Sequence, residues 1–372
     1  MVLVLVGPTA VGKTEVALRL AERLQAEIVS ADSMQVYRGM DIGTAKPTPA
    51  ERQLVPHHLI DLVDPGVPFS VAQYVQLADQ ALAQIQTRGR LAILTGGTAF
   101  YVQAVIDGLP AGATAPPNPE LRRQLLLEAE CLGTEALHQR LAQVDPESAA
   151  RLHPHDRRRI IRALEIYLQT GRPRSCEGAA TWARDVDASA PASDSALSQG
   201  RSTRPATPAT SGRYNACWFG LTRPRRSLYE RIAQRVHLQL EAGLVDEVRR
   251  LLQQGWDPDA TSQQALGYKE MVAYLRGRLT LAEATELLIR STRHYAKRQL
   301  SWWRRDSRIR WLDLDRWSVD QAVAWISRAF LAEAAPGVDL ASLISPVPTS
   351  PDTRSPFLAT PDVDERTTSP EW

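Results

Sequence analysis

The chain carries only three cysteines in 372 residues, Cys131, Cys176 and Cys217. They are far apart, odd in number and form no CxxC pair. That spacing excludes a disulfide framework and a thiolate zinc site, and it reads as reduced thiols in a cytosolic protein. Charge of one sign is also scarce: 44 basic against 42 acidic residues leave a net charge of +2. The total therefore says nothing about nucleic acid, and only local clustering can. No run approaches the ~20 apolar residues that span a bilayer. The amino-terminal apolar run lacks a basic lead and enters a glycine loop directly, so it is expected to be a buried strand and no signal peptide. No internal repeat is present. With 44% hydrophobic residues, the composition is that of a globular protein with a sizeable core.

The most informative stretch is MVLVLVGPTAVGKT, residues 1–14. The β-formers Val2 to Val6 run into Gly7-Pro8-Thr9-Ala10-Val11-Gly12-Lys13-Thr14, which fits GxxxxGK[ST]. Val16, Ala17, Leu20 and Leu24 then recur at helical spacing. Strand, glycine loop and helix in that order are the context a phosphate-binding loop requires. Gly7 and Gly12 let the backbone wrap an anion with its N–H groups. The helix terminus adds positive dipole, Lys13 adds a point charge, and the Thr14 hydroxyl can ligate Mg²⁺.

Strand and helix alternate through the first hundred residues: AEIVSAD (26–32), a helix over 70–87, then RLAILTGGTAFYVQAV with a strand at 91–95, a Gly96-Gly97 turn and a helix. This predicts an α/β fold, a P-loop-containing doubly wound, mostly parallel sheet with its ligand at the carboxyl ends of the strands. From Pro116 the pattern is helical only, over 118–131, 133–143, 146–151 and 156–170, an inserted all-helical domain. Residues 175–213 are rich in Ala, Ser, Thr, Pro and Gly and read as a disordered insertion. A strand returns at 215–222, followed by helices at 226–242, 244–254, 261–276 and 280–303 and a last strand at 309–315. The expected division is thus a core over 1–117 and 214–330, a helical unit over 118–174, the insertion 175–213 and a disordered tail over 335–372.

Most nucleotide hydrolases with this loop hold Mg²⁺ partly through an acid ending a buried strand. Here the candidate strand ends in Thr95-Gly96-Gly97-Thr98, and the acid ends the second strand as Asp32. A lone carboxylate at that edge could bind Mg²⁺ or act as a general base. Asp32-Ser33 is equally good helix-capping chemistry, and spacing alone does not choose between the two. His57-His58 reads as a hydrogen-bonding pair, because adjacent rings rarely face one metal and no Cys or acid cluster accompanies them. Arg157, Arg158, Arg159 and Arg162 open a helix in which Ile160, Ile161, Leu164 and Ile166 point inward. The arginines suit phosphate contacts, or form a merely solvated basic face. Near the end Arg293, Lys297, Arg298, Arg304 and Arg305 interleave with Tyr295, Trp302 and Trp303, a mix suited to RNA unless the tryptophans are core.

In order and spacing, GPTAVGKT, ADSMQVYRGMDIGTAKP, PHHLIDLVDP (56–65) and LTGGTAFYVQAVIDGL (94–109) resemble the tRNA dimethylallyltransferases. RRRIIRALEIYLQTGRP (157–173), LYERIAQRVHLQLEAGLVDEV (228–248), QALGYKEM (264–271) and TRHYAKRQLSWWRRD (292–306) extend the resemblance to about residue 315. The insertion at 175–213 falls outside it, being longer and more polar than the family pattern, and the tail after 335 has no counterpart in it. The resemblance implies transfer of the dimethylallyl group of dimethylallyl diphosphate to the exocyclic amine of the adenine 3′ to the anticodon. Residues Gly7 to Thr14 would hold the diphosphate, with Mg²⁺ on Thr14. Asp32 would be the base, Thr98 and Arg235 would act at the reacting centre, and Arg231 is the alternative arginine. Asp32, Ser33, Met34 and Gln35, together with Arg158, Arg159, Ile160, Ile161 and Arg162, would lie against tRNA. Gln35 has the paired donor and acceptor that reads an adenine edge. A cytoplasmic monomer is expected.

Such chemistry asks for charge stabilisation on a departing diphosphate and a carboxylate near a poorly nucleophilic amine. The target base must leave its stack, which favours a loop substrate. Three rivals share parts of the pattern. They are a small-molecule P-loop kinase, an enzyme that prenylates free adenine nucleotides, and a non-catalytic RNA-binding switch using the loop as a nucleotide sensor. The helical unit and its basic helix argue for a macromolecular substrate.

Overall fold

The computed structural model describes residues 1–109, 118–176, 213–256, 262 and 265–334. Its strands are β1 (Val2–Val6), β2 (Ala26–Ser30), β3 (His57–His58), β4 (Leu91–Thr95), β5 (Ala216–Thr222) and β6 (Arg310–Asp313). They form one sheet in the order β3-β2-β4-β1-β5-β6, with every pairing parallel. All five residues of β1 and of β2 are buried, as a parallel sheet covered on both faces demands. β1 lies between β4 and β5, so the chain winds away from it in both directions. The crevice beyond its carboxyl end is the topological switch point.

Alternation along β1 divides the core. Leu3 and Leu5 point into a cluster with α1 (Lys13–Leu24), α9 (Arg225–Glu241) and α13 (Val319–Ala334). Val2, Val4 and Val6 point to the other face, against α3 (Val71–Thr87) and α4 (Ala99–Ile106). The predicted helix at 70–87 is α3, opened by a Ser70–Gln73 capping box. A third cluster joins Val36, Tyr37 and Met40, in the irregular segment after β2, to α10 (Leu244–Gln253), α11 (Tyr268–Leu275) and the start of α12 (Leu281–Trp303).

Four helices carry their own apolar centre: α5 (Pro119–Leu132), α6 (Thr134–Val144), α7 (Pro146–Arg151) and α8 (Arg157–Thr170). Asn118 and Asp145 cap α5 and α7, Asp156 caps α8, and Gly171 ends α8 in the left-handed region.

Several elements differ from the sequence reading. Within the predicted helix at 261–276, the described residues are α-helical over Tyr268–Leu275, where Gly267 at φ 95° starts the helix and Glu270 turns back to the Gly267 N–H, and residues 261, 263 and 264 lie outside the described residues. Two short elements were not anticipated, β3 and α2 (Pro49–Leu54), nor was the 16-residue α13. Most of the 175–213 insertion and the whole tail from 335 lie outside the described residues. The ends of the insertion are tied down, Ser175 to Asp145 and Arg213 to Asp79. Among the described residues no helix is long and apolar enough to cross a membrane.

Candidate active site

Residues 7–12 bridge β1 and α1 at the switch point. A Cβ on Gly7 would come within 2.5 Å of the Leu221 carbonyl oxygen of β5, so no larger residue fits there. Ala10 and Gly12 lie at positive φ, 63° and 112°, curling the backbone around its own N–H groups. Val11 is fully buried and anchors the loop in the core. No side chain caps α1, which leaves its first amides open to a ligand.

Lys13 folds back, its Nζ donating to the Gly7 and Pro8 carbonyls at 2.8 Å each. Burial, reinforced by the nearby Arg235 and opposed by Asp32, draws its pKa down to about 7. Arg235 is itself held below the usual guanidinium range by burial, with Asp32 acting in the opposite sense. Lys13, Asp32 and Arg235 therefore lie within electrostatic reach of one another. The alternative arginine, Arg231, braces the loop from outside, its Nε donating to the Ala10 carbonyl at 3.0 Å. Thr14 is exposed, and its hydroxyl has no hydrogen-bond partner among the described residues.

Asp32 follows β2 and caps no helix. Its Oδ1 accepts the Met34 N–H at 2.9 Å, a local turn that leaves Oδ2 pointing toward Gly97. Thr98 occupies the N-cap position of α4, yet its hydroxyl makes no capping bond. It accepts the Ser33 N–H at 2.9 Å and lies 3.1 Å from the Ser33 hydroxyl. The Asp32 and Thr98 segments are thus stitched together at the ends of β2 and β4. Gln35 is engaged within the protein, Oε1 accepting from Ser30 Oγ at 2.8 Å and Nε2 donating to the Thr44 and Ala45 carbonyls.

Two residues of this centre were not assigned to it from sequence. Gln299, 4% exposed on α12, accepts the Thr9 N–H at 2.8 Å and donates to the Gly97 carbonyl at 2.8 Å. The Tyr295 hydroxyl, one turn earlier, donates to the same carbonyl at 3.2 Å. Burial first, and the Asp32 charge next, raise its pKa. The signal was a glutamine set in the apolar stripe Leu288, Thr292, Ala296, Gln299 and Trp303, where a buried amide must find partners.

The basic stretches resolve unevenly. Ile160 and Ile161 are 0% and 4% exposed in the centre of the four helices, so their side chains belong to that core. Arg157 pairs with Glu130, Arg159 with Asp156, and Arg162 with the buried Glu165. Arg158 is exposed without an ion pair among the described residues. On α12, Trp303 is fully buried against Trp218, and the Trp302 indole donates to Gln103 at 2.7 Å, so both tryptophans belong to the fold. His57 bonds to the Val55 carbonyl and His58 to Glu27, which fits the hydrogen-bonding reading. No group of three metal-ligating side chains occurs among the described residues.

The family model for IPP transferase matches residues 35–306. Over 312 residues the chain is 47% identical to "tRNA dimethylallyltransferase 2" of Geotalea uraniireducens, covering 84% of this chain and 91% of the relative. It is equally similar, over the same length and shares, to the tRNA dimethylallyltransferase of Desulforudis audaxviator. Among solved structures it resembles a Bacillus halodurans tRNA isopentenylpyrophosphate transferase, at 40% identity, TM-score 0.61 and coverage of 92% of this chain and 97% of that one. A eukaryotic dimethylallyltransferase shares the fold at TM-score 0.69 and 24% identity, covering 91% of this chain and 80% of its own.

Proposed function

This chain belongs to the IPP transferase family, and we propose that its loop 7–14 grips the diphosphate of the prenyl donor while Asp32 takes the proton from the acceptor. The enzyme transfers the dimethylallyl group of dimethylallyl diphosphate to the N6 amine of the adenine 3′ to the anticodon in tRNA, releasing diphosphate. The observation that carries the site assignment is that the charges of Lys13, Arg235 and Asp32 act on one another beyond the carboxyl ends of β1 and β2. Two cations there suit a leaving diphosphate, and one carboxylate suits the incoming amine.

As the allylic carbon–oxygen bond breaks, negative charge gathers on the bridging oxygen. The open amides of the loop and the first turn of α1, with Lys13 and Arg235, stabilise that charge. Lys13 exchanges its two carbonyl partners for phosphate oxygens. The N6 lone pair forms the new carbon–nitrogen bond, and the proton lost from N6 passes to Asp32. Thr98, tied to Ser33, holds the base-side loop in place, and Gln299 sets its distance from the cradle.

The residues suit Mg²⁺ of one kind only. A free Thr14 hydroxyl without a carboxylate cage fits an ion that keeps several waters and takes substrate phosphates. Bound there, it would neutralise charge on the diphosphate. Helices α5–α8, with Arg158 and Arg159 at the start of α8, serve as the platform for the anticodon stem-loop, set into a core of residues 1–117 and 214–330. All these residues lie in one chain, so the reading needs no second copy.

The test is incubation with labelled dimethylallyl diphosphate, Mg²⁺ and bulk tRNA, followed by digestion and identification of the nucleoside. Label in N6-dimethylallyladenosine supports the reading. Label on free adenine nucleotides alone, or phosphate transferred from ATP, overturns it.

A further inference from the structure

We infer that Glu247 of α10 is a positioning residue for base recognition, acting through the turn at 41–43 on the side-chain amide of Gln35. We place Gln35 against tRNA beside Asp32, as the family resemblance implies, and the inference rests on that reading. Between β2 and α2 the chain forms no helix or paired strand beyond a single bridge at Tyr37, so its amides need partners from elsewhere. Glu247 supplies them. Its Oε2 accepts the N–H groups of Asp41 at 3.0 Å and Ile42 at 2.9 Å, and its Oε1 accepts that of Gly43 at 3.2 Å. The Tyr268 hydroxyl donates to Oε1 at 2.6 Å. Four donors thus fill the carboxylate.

The turn is enclosed as well as bonded. A Cβ on Gly43 would lie 2.3 Å from the Tyr268 ring, so the ring closes over the backbone. Gln239 Nε2 donates to the Ile42 and Gly43 carbonyls, and Lys46 Nζ donates to the Tyr37 carbonyl and to Asp41 and Asp61. The next two carbonyls, Thr44 and Ala45, receive the Gln35 amide at 3.3 and 3.2 Å. Glu247 is 2% exposed and cannot meet RNA itself. Whatever it contributes to recognition passes along the turn to Gln35. A carboxylate suits this task better than an amide, because every group facing it is a donor.

The experiment compares Glu247→Gln, Gln35→Ala and the double variant, with kcat/KM measured separately for tRNA and for dimethylallyl diphosphate. Glu247→Gln should lower kcat/KM for tRNA about tenfold with KM for dimethylallyl diphosphate unchanged. In the Gln35→Ala background the same change should add little, since both act on one contact. Tyr268→Phe, a milder change at the same carboxylate, should lower the tRNA parameter a few-fold in the same selective way and stands in if Glu247→Gln does not fold. Full additivity, or an equal loss on both substrates, overturns the inference and makes Glu247 merely structural. If Gln35→Ala alone leaves tRNA kinetics unchanged, the base-reading role of Gln35 falls first and the inference falls with it.

Discussion

Gln299 Oε1 accepts the Thr9 N–H at 2.8 Å across 290 residues of sequence, and through this bond α12 holds the amino-terminal loop. Its other end donates to the Gly97 carbonyl, next to Thr98. One buried amide therefore fixes the spacing between the side that binds diphosphate and the side that receives the base. Gln299→Ala leaves the Thr9 N–H without a partner, at about 1–3 kcal/mol, and leaves the Gly97 carbonyl with the Tyr295 hydroxyl alone. We expect a lower Tm, a higher KM for dimethylallyl diphosphate and a lower kcat. Gln299→Glu keeps the acceptor for Thr9, loses the donor for Gly97 and puts negative charge beside the cradle. It should bind the donor substrate more weakly than Gln299→Ala does. Wild-type kinetics in both variants would remove Gln299 from the site.

Replacing Asp32 by Asn keeps its shape and removes its basicity. Prenyl transfer in single turnover should fall by about 10²- to 10⁴-fold, the usual worth of a positioned general base. Binding of tRNA, followed by gel shift, should persist. A proportionate loss of both would make the carboxylate a binding group.

The Lys13 pKa of about 7, against an ordinary 10.5, has a definite sign. Between those values the unfolded chain holds a proton that the folded, ligand-free protein has released, so this group makes stability rise with pH across that window. Diphosphate binding reverses the effect by favouring the ammonium. At pH 8 the complex should take up close to one proton, read from calorimetry in buffers of different ionisation heat, and affinity should weaken as pH rises from 7 to 9. Lys13→Arg, which does not titrate, should abolish the uptake. Uptake that persists in that variant would place the titrating group elsewhere.

What the sequence disclosed was whatever repeats at short range. The strand, loop and helix of residues 2–24 follow from β-formers, two glycines and a helical stripe, and the structure keeps them within a residue or two. The site beyond the loop was less legible because its bonds are long-range. Nothing near Gln299 in sequence points to Thr9, and nothing near Glu247 points to Gly43. β3 was hidden by length, two residues after Pro56 whose pairing depends on β2. In α13, Ala322, Val323, Ile326 and Phe330 recur at helical spacing, a stripe legible in the sequence beyond the last predicted strand. The isoleucines of RRRIIR show the opposite error. The resemblance sets them against tRNA, whereas helical periodicity turns them inward, and the structure buries them.

That distinction gives a test on α8. Arg158 is exposed without an ion pair among the described residues, whereas Arg162 is bonded at 2.7 Å to Glu165, which is itself fully buried and shared with Arg122. Arg158→Ala should weaken tRNA binding and flatten the plot of log affinity against log salt by about one unit of slope, the mark of a lost phosphate contact, with Tm unchanged. Arg162→Ala leaves part of a buried carboxylate uncompensated, so it should lower Tm before it changes the salt slope. Ile160→Ala should cost about 2–5 kcal/mol through the cavity it opens among α5–α8. If its tRNA affinity falls, raising the temperature should deepen the loss and adding salt should not. A salt slope altered by Ile160→Ala but not by Arg158→Ala would return the isoleucines to the RNA surface.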